Sequence, residues 1–145
     1  MGRTFIVFVL MSAGLLALPA SAYACSCISW HFSVRDRVTM SEKGISRAIF
    51  EATVASEWSL GPVTLLFLRD IKAWRGTPRW VIRTGRREYG CAYRLEVGRR
   101  YLIDGSADLL GTLATNVCTL TSRIENAGET IAVLESLSDR SRKNP

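Results

Sequence analysis

The chain is poor in the residues that most enzyme chemistry requires. Among 145 residues there is one histidine, His31, and there are only four cysteines. A lone histidine excludes a multi-histidine metal centre. No serine or cysteine stands in a motif beside a base, as an activated nucleophile needs. Without a triad, His31 reads as a surface or locally hydrogen-bonded side chain. Asp104 and Asp108 bracket a turn and read as solvated loop carboxylates. No glycine-rich phosphate loop joins a strand to a helix, and no CxxC pair has zinc-ribbon spacing. These gaps argue against an enzyme, a cofactor or a metal of the protein's own. Beyond Leu18 no run is long and apolar enough for a membrane-spanning helix, so no transmembrane segment is expected in the mature chain.

Apolar residues are concentrated instead at the start. Arg3 precedes "FIVFVLMSAGLLAL", from Phe5 to Leu18, and Pro19 and small residues follow. That is the pattern of a secretory signal. Ala22-Tyr23-Ala24 sets cleavage before Cys25, and Ala20-Ser21-Ala22 sets it before Tyr23. Lipidation of Cys25 is the third option, but Ala22 and Tyr23 match a lipoprotein signal poorly. The expected organisation is a signal peptide over residues 1–24, one domain over 25–138 and a polar, basic tail over 139–145. The expected location is secreted or extracytoplasmic, in the extracellular space or a periplasm. The formal charge of +6 suits weak attraction to anionic lipids, glycans or acidic partners. For a chain that leaves the cytoplasm it does not argue for nucleic acid.

An even cysteine count in an exported domain reads as two disulfides. Cys25 and Cys27 are too close in sequence to bond each other without a strained ring. Each therefore goes to a distant partner: Cys25 to Cys91 with Cys27 to Cys118, or the reverse. Reduced Cys25-Ser26-Cys27 offers thiolates to a soft metal such as Cu(I), but oxidation competes with that outside the cytoplasm.

In "AIFEATVASEW", Phe50, Ala52, Val54, Ser56 and Trp58 alternate with polar or small neighbours, the pattern of a half-buried strand. Gly61-Pro62 turns the chain into a second strand, "VTLLFLRDIKAWRG". A third, "TPRWVIRTG", is begun by Pro78 and closed by Gly85. A short strand near Cys91, a turn at Gly98, a fourth strand "RRYLID" and a fifth in "DLLGTLA" follow. The stretch from Trp30 to Lys43 has weak periodicity and reads as loop with at most one helical turn, for which Ser33 or Ser41 is an available cap. A C-terminal helix begins at a capping box, Asn126 with Glu129 or Ser122 with Glu125. Its apolar stripe is Ile131, Leu134 and either Val133 or Leu137, and "SDRSRKNP" is expected to fray. The class is all-β with a flanking helix: a five-stranded antiparallel OB-type barrel with a disulfide-stapled N-terminus.

Arg86, Arg87, Arg99 and Arg100 stand near Trp74, Trp80, Tyr89, Tyr93 and Tyr101. They make a possible face for an anionic ligand, against the plainer reading that the aromatics fill the barrel. The ordered set of Cys-x-Cys, "AIFEATVASEW", "IKAWRG", "RWVIRTG", "GCAYRLEVGRRYLIDG" and "NVCTLTS" resembles netrin-like (NTR) domains. It looks most like the N-terminal domain of the tissue inhibitors of metalloproteinases, from Cys25 to about Leu137. The resemblance implies an OB-fold and the pairings Cys25–Cys91 and Cys27–Cys118. It also implies that the α-amine and carbonyl of Cys25 chelate the zinc of a partner metalloprotease. Ser26 would then point into the specificity pocket, with Cys27 and Ile28 continuing the wedge. Zinc enters only through that bound protease. The chain departs from the animal inhibitors in lacking a third bridge, in its short turn at Leu60–Pro62 and in Ala92 after Cys91. The alternative is a non-inhibitory binding module of the extracellular space or cell envelope, engaging a protein or an anionic glycan through the arginine face.

Overall fold

The computed structural model describes residues 25, 27, 31–40, 47–85, 90–107 and 111–143. Two long strands dominate it, β1 (Arg47–Leu60) and β2 (Val63–Arg75), joined by the two-residue turn Gly61-Pro62. Gly61 has φ 55°, and Pro62 cannot follow it into positive φ. That combination excludes a type I′ turn and suits type II′, whose twist matches the strands. Strands β3 (Val81–Gly85), β4 (Arg100–Ala107) and β5 (Leu113–Ala114) complete a closed barrel of order β1-β2-β3-β5-β4, with β4 returning to β1. The β3–β5 pairing is parallel, and the other pairings are antiparallel. The topology is that of a five-stranded OB-type barrel with a helix beside it.

The strand reading from sequence needs four corrections. The third strand starts at Val81, because Pro78 lacks the N–H a ladder position would use. The segment after Cys91 forms no strand. The fifth strand is only two residues long. A two-residue β6 (Ser122–Arg123) adds to β4 at Tyr101 and Leu102.

A 14-residue strand can serve a small barrel only if it bends. The β1–β2 ladder slips between Ile49 and Phe50, between Glu51 and Thr53, and between Val54 and Ser56. Each slip is a bulge that sharpens the local twist. The second places Asp70 on β2 at φ 54°, the only non-glycine residue with positive φ among those described. The third puts Ala55 as an extra residue on β1. Gly76 ends β2 where a side chain could not fit: φ is 66° and a Cβ would lie 2.1 Å from the Arg47 carbonyl oxygen.

The bulge at Ala55 overturns half of the alternation read from the sequence. Phe50, Ala52 and Val54 do point into the barrel, with Leu66, Leu68, Ile82, Tyr101 and Ile103. One extra residue flips the phase of everything beyond it. Glu57 and Ser59 then stand opposite inward Leu66 and Thr64, while Ser56, Trp58 and Leu60 stand opposite Phe67, Leu65 and Val63 on the outer face. Trp58 is accordingly exposed. The first half of β1 is not half-buried either, since Ile49 on its other face packs with Leu102 in a second core.

Two helices cover that second core. Helix α1 (Val34–Thr39) is capped by Ser33, whose Oγ accepts from the Asp36 N–H at 3.2 Å. It buries Val38. Helix α2 (Gly128–Lys143) buries Leu134, with Ile131, Val133 and Leu137 packed partly against the same cluster. Neither expected capping box forms. Ser122 lies in β6, and Ile124–Asn126 make a 3-10 turn before the helix. The Ala127 carbonyl accepts the first helical bond, from Ile131. The stretch expected to fray is helical as far as Lys143.

A buried carboxylate locks β1, β2 and β4 together. Glu51 accepts from Arg100 Nη2 at 3.0 Å, Trp74 Nε1 at 2.8 Å and Lys72 Nζ at 3.3 Å. Burial alone raises its pKa, but the three donors and the Lys72 charge outweigh it and hold the carboxyl below its ordinary value of 4.5. A depressed folded pKa makes the stabilisation complete above the unfolded pKa and lost as pH falls through the folded one. Glu51→Gln is expected to flatten the acid limb of the denaturation midpoint against pH, and to cost about 1–3 kcal/mol at neutral pH by taking the carboxylate charge from Arg100 and Lys72. The bulge is tested by contrast: Phe50→Ala should cost about 3–5 kcal/mol in urea melts, and Trp58→Ser less than about 0.5 kcal/mol.

Candidate functional site

The N-terminal segment is held at two points, and the points adjoin. Cys25 is bonded to Cys91 and Cys27 to Cys118, each with a Cα–Cα distance of 5.2 Å. This is the pairing the family resemblance implied. The bridges touch, with Cys25 Sγ 3.6 Å from Cys118 Sγ. All four cysteines are half-buried, and none is free. The sulfurs of Cys25, Cys27 and Cys118 lie within 4.8 Å of one another, a closeness that comes from two neighbouring disulfides. The thiolates a soft metal needs are absent while both bonds are closed.

What makes the anchors rigid lies behind them. The Val117 N–H donates to the Cys91 carbonyl at 3.1 Å, so the two partner segments are bonded to each other. Asn116 Oδ1 accepts from the Cys118 N–H at 2.8 Å, an Asx turn that fixes the second anchor. Arg37 Nη2, on α1, donates to the carbonyls of Cys118 and Thr119. Thr119 and Thr115 share hydroxyl bonds with Thr121, whose Oγ1 accepts from the Asp104 N–H at 2.9 Å. The Asp104 carboxylate accepts from the Leu120 N–H at 2.9 Å and pairs with the Arg47 guanidinium through both of its oxygens. A continuous chain of bonds thus runs from β1 and β4 to the cysteine platform.

Asp104 is therefore no loop carboxylate. It is buried in β4, and a buried carboxylate persists only when paired and hydrogen-bonded, as this one is. Asp108 lies outside the described residues. His31 is exposed. Sequence reasoning missed Arg37, Asn116 and the threonines. An Asn two residues before a cysteine, followed by alternating threonines in "TNVCTLTS", was the available signal for a hydrogen-bonded turn.

The remaining candidates do not assemble into one face among the described residues. Ser26, Ile28, Arg86, Arg87 and Tyr89 lie outside them. Arg99 is exposed, 4.0 Å from Glu96. Arg100 is bound to Glu51 and to the Asp70 carbonyl, so it closes the barrel seam. Tyr101 is fully buried and meets Tyr93 edge-on at 6.4 Å. Its hydroxyl oxygen accepts from the Glu96 N–H at 2.9 Å. Burial pushes the Tyr93 hydroxyl pKa up. Trp74 packs against the second core, and Trp80 is exposed.

No protein-family model matches the chain, and no curated protein matches it. The fold and the site define a class all the same: an OB-type barrel whose N-terminal segment is stapled by two adjoining disulfides to a hydrogen-bonded platform. Such bridges are compatible with an oxidising, extracytoplasmic compartment. The bridges close sequence separations of 66 and 91 residues. Replacing either pair by serines is expected to cost roughly 4 kcal/mol in the loop-closure account, measured as a drop in the denaturant midpoint of the oxidised protein. The double removal should cost less than twice that.

Proposed function

We propose that the protein inhibits a zinc metalloprotease with its own N-terminus, Cys25 acting as the ligand. The observation that carries this reading is the immobilisation of residues 25 and 27 on a platform tied to the barrel by backbone and side-chain bonds. A wedge already held in one conformation loses little ordering entropy on docking, which is where preorganised inhibitors gain affinity. The ordered motifs shared with the tissue inhibitors of metalloproteinases point the same way.

The chemistry needs signal removal directly before Cys25. A terminal α-amine has a pKa near ~8, so part of it is neutral at physiological pH. Zinc draws off the remaining proton on binding. Amine nitrogen and carbonyl oxygen of one residue close a five-membered chelate with the metal. They take the position that a catalytic zinc keeps open for water. Because the chelate displaces the zinc-bound water, the protease loses the nucleophile with which it would cleave the bound segment. Ser26 would enter the protease pocket beside the zinc, with Cys27 and Ile28 filling the cleft beyond it.

The alternative module reading has one cation fewer. Of the four arginines it invoked, Arg100 is engaged with Glu51, Arg99 is exposed 4.0 Å from Glu96, and Arg86 and Arg87 lie outside the described residues. Inhibition is the better-supported reading.

The test is a protein secreted with one alanine added before Cys25, compared with native protein against a panel of zinc metalloproteases. Inhibition by the native form should fall at least about 100-fold in the extended form, because the chelating amine becomes an amide, while thermal melting stays unchanged. Equal inhibition by both forms sinks the chelation mechanism. A mature N-terminus at Tyr23 would do the same.

A further inference from the structure

The outer face of the β1–β2 hairpin tip takes no part in the barrel core, which Leu66 and Leu68 enter from its inner face. From Trp58 to Leu68 the sequence reads "WSLGPVTLLFL", without one ionisable side chain. The bulge at Ala55 turns Trp58 and Leu60 outward, in register with Leu65 and Val63, and Phe67 continues the row opposite Ser56. Trp58 is 56% exposed, Leu60 61% and Phe67 39%. On β3, Val81 pairs with Phe67 and widens the ladder. Single exposed apolar side chains are ordinary on a soluble protein, but a contiguous row of them marks a contact surface.

Shape and charge narrow the occupant. Trp58 to Leu60, with Val63 to Leu65 alongside, spans roughly 10 Å of strand. That matches the depth to which interfacial elements sink into the headgroup and acyl boundary, about 5–10 Å. Tryptophan is the side chain most at home there. Behind the apolar row comes a basic collar. Arg69 follows on the outer face of β2, largely exposed and only loosely paired with Asp70 at 3.6 Å. Arg79 and Trp80 are exposed at the lead-in to β3, where the Trp80 carbonyl accepts from Leu68. The whole chain carries +6. A second copy of the chain fits less well. The row offers on the order of 400 Å², about half of what each partner gives a stable interface, and it would set one basic collar against another.

We propose that this hairpin tip inserts into the surface of an anionic lipid bilayer. The apolar row enters the acyl boundary, and Arg69 and Arg79 lie against lipid phosphates. Val63, at one end of the row, shares a cleft with Cys91 and Asn116 of the platform, but the row needs no free α-amine at Cys25, so this stands whether or not the protein inhibits a protease.

The experiment uses the oxidised full-length secreted protein with vesicles of phosphatidylcholine, alone or mixed with phosphatidylglycerol. Sedimentation should carry the protein down with the mixed vesicles, and brominated lipid should quench tryptophan emission. Leu60→Ser is expected to weaken partitioning about tenfold without lowering the melting temperature. Replacing Arg69 and Arg79 with Gln should remove the preference for the anionic lipid. Failure to bind either vesicle overturns the proposal, as does binding that Leu60→Ser leaves unchanged. Concentration-dependent dimerisation that Leu60→Ser abolishes, without vesicle binding, would assign the row to a second copy and overturn it equally.

Discussion

The structure depends on a buried ion pair that sits far from the chain's first cysteine in sequence and close to its anchors in space. Arg47 and Asp104 join β1 to β4 where the barrel closes. The same carboxylate reaches the Leu120 N–H, and the backbone of Asp104 holds Thr121. An unpaired carboxylate there would be costly, because burial removes the water that would otherwise solvate it. With Arg47 in place it is satisfied, and it organises the turn that presents Cys118. Arg47 also donates to the Arg37 carbonyl at 2.8 Å, so α1 is fixed by the same guanidinium. One pair of side chains thus orders the barrel seam, a helix and the second disulfide anchor.

Much of this was legible in the residue pattern, and the exceptions have physical causes. The period of two in "AIFEATV" locates a strand correctly because Phe50, Ala52 and Val54 all serve one core. It fails at Ala55, since a bulge leaves no mark in hydrophobicity and reverses every side chain after it. Asp104 was misread for a related reason. A carboxylate near a turn is usually solvated, and nothing local in "YLIDG" announces that Arg47 lies beside it on the neighbouring strand. Glu51 is another such case, its three partners coming from β2 and β4. The Cys-x-Cys pair was the clearest signal, because two cysteines one residue apart bond each other only in a strained ring and must each reach elsewhere. What they reach depends on hydrogen bonds made by Asn116 and Thr119, which the sequence shows only as a polar stretch.

The barrel divides its labour along the β1–β2 ribbon. From Ala48 to Val54 β1 is buried on both faces, between the barrel interior and the second core. Past Ala55 β1 becomes an edge strand, since its ladder to β4 ends at Thr53, while β2 remains paired to β3. The cysteine platform and the hairpin tip are therefore supported differently. The platform is cross-linked and hydrogen-bonded into the core. In the tip, β1 is held by β2 alone, while β2 is also paired to β3 from Val63 to Phe67 and keeps Leu66 in the barrel core. Alteration at one should leave the other standing, which lets their roles be separated.

The separations of 66 and 91 residues between bonded cysteines also order events in time. A chain emerging from its N-terminus presents Cys25 and Cys27 first, while Cys118 comes out only after most of the barrel's strands. Cys25 waits for Cys91, which follows β3, and Cys27 waits longer, for Cys118; long-range pairings of this kind form slowly. The closing of the barrel and the sealing of its first residues are consequently among the last steps of maturation. Until then both leading thiols are open to partners they must afterwards give up, so an exchange catalyst would act on this chain near the end of its folding.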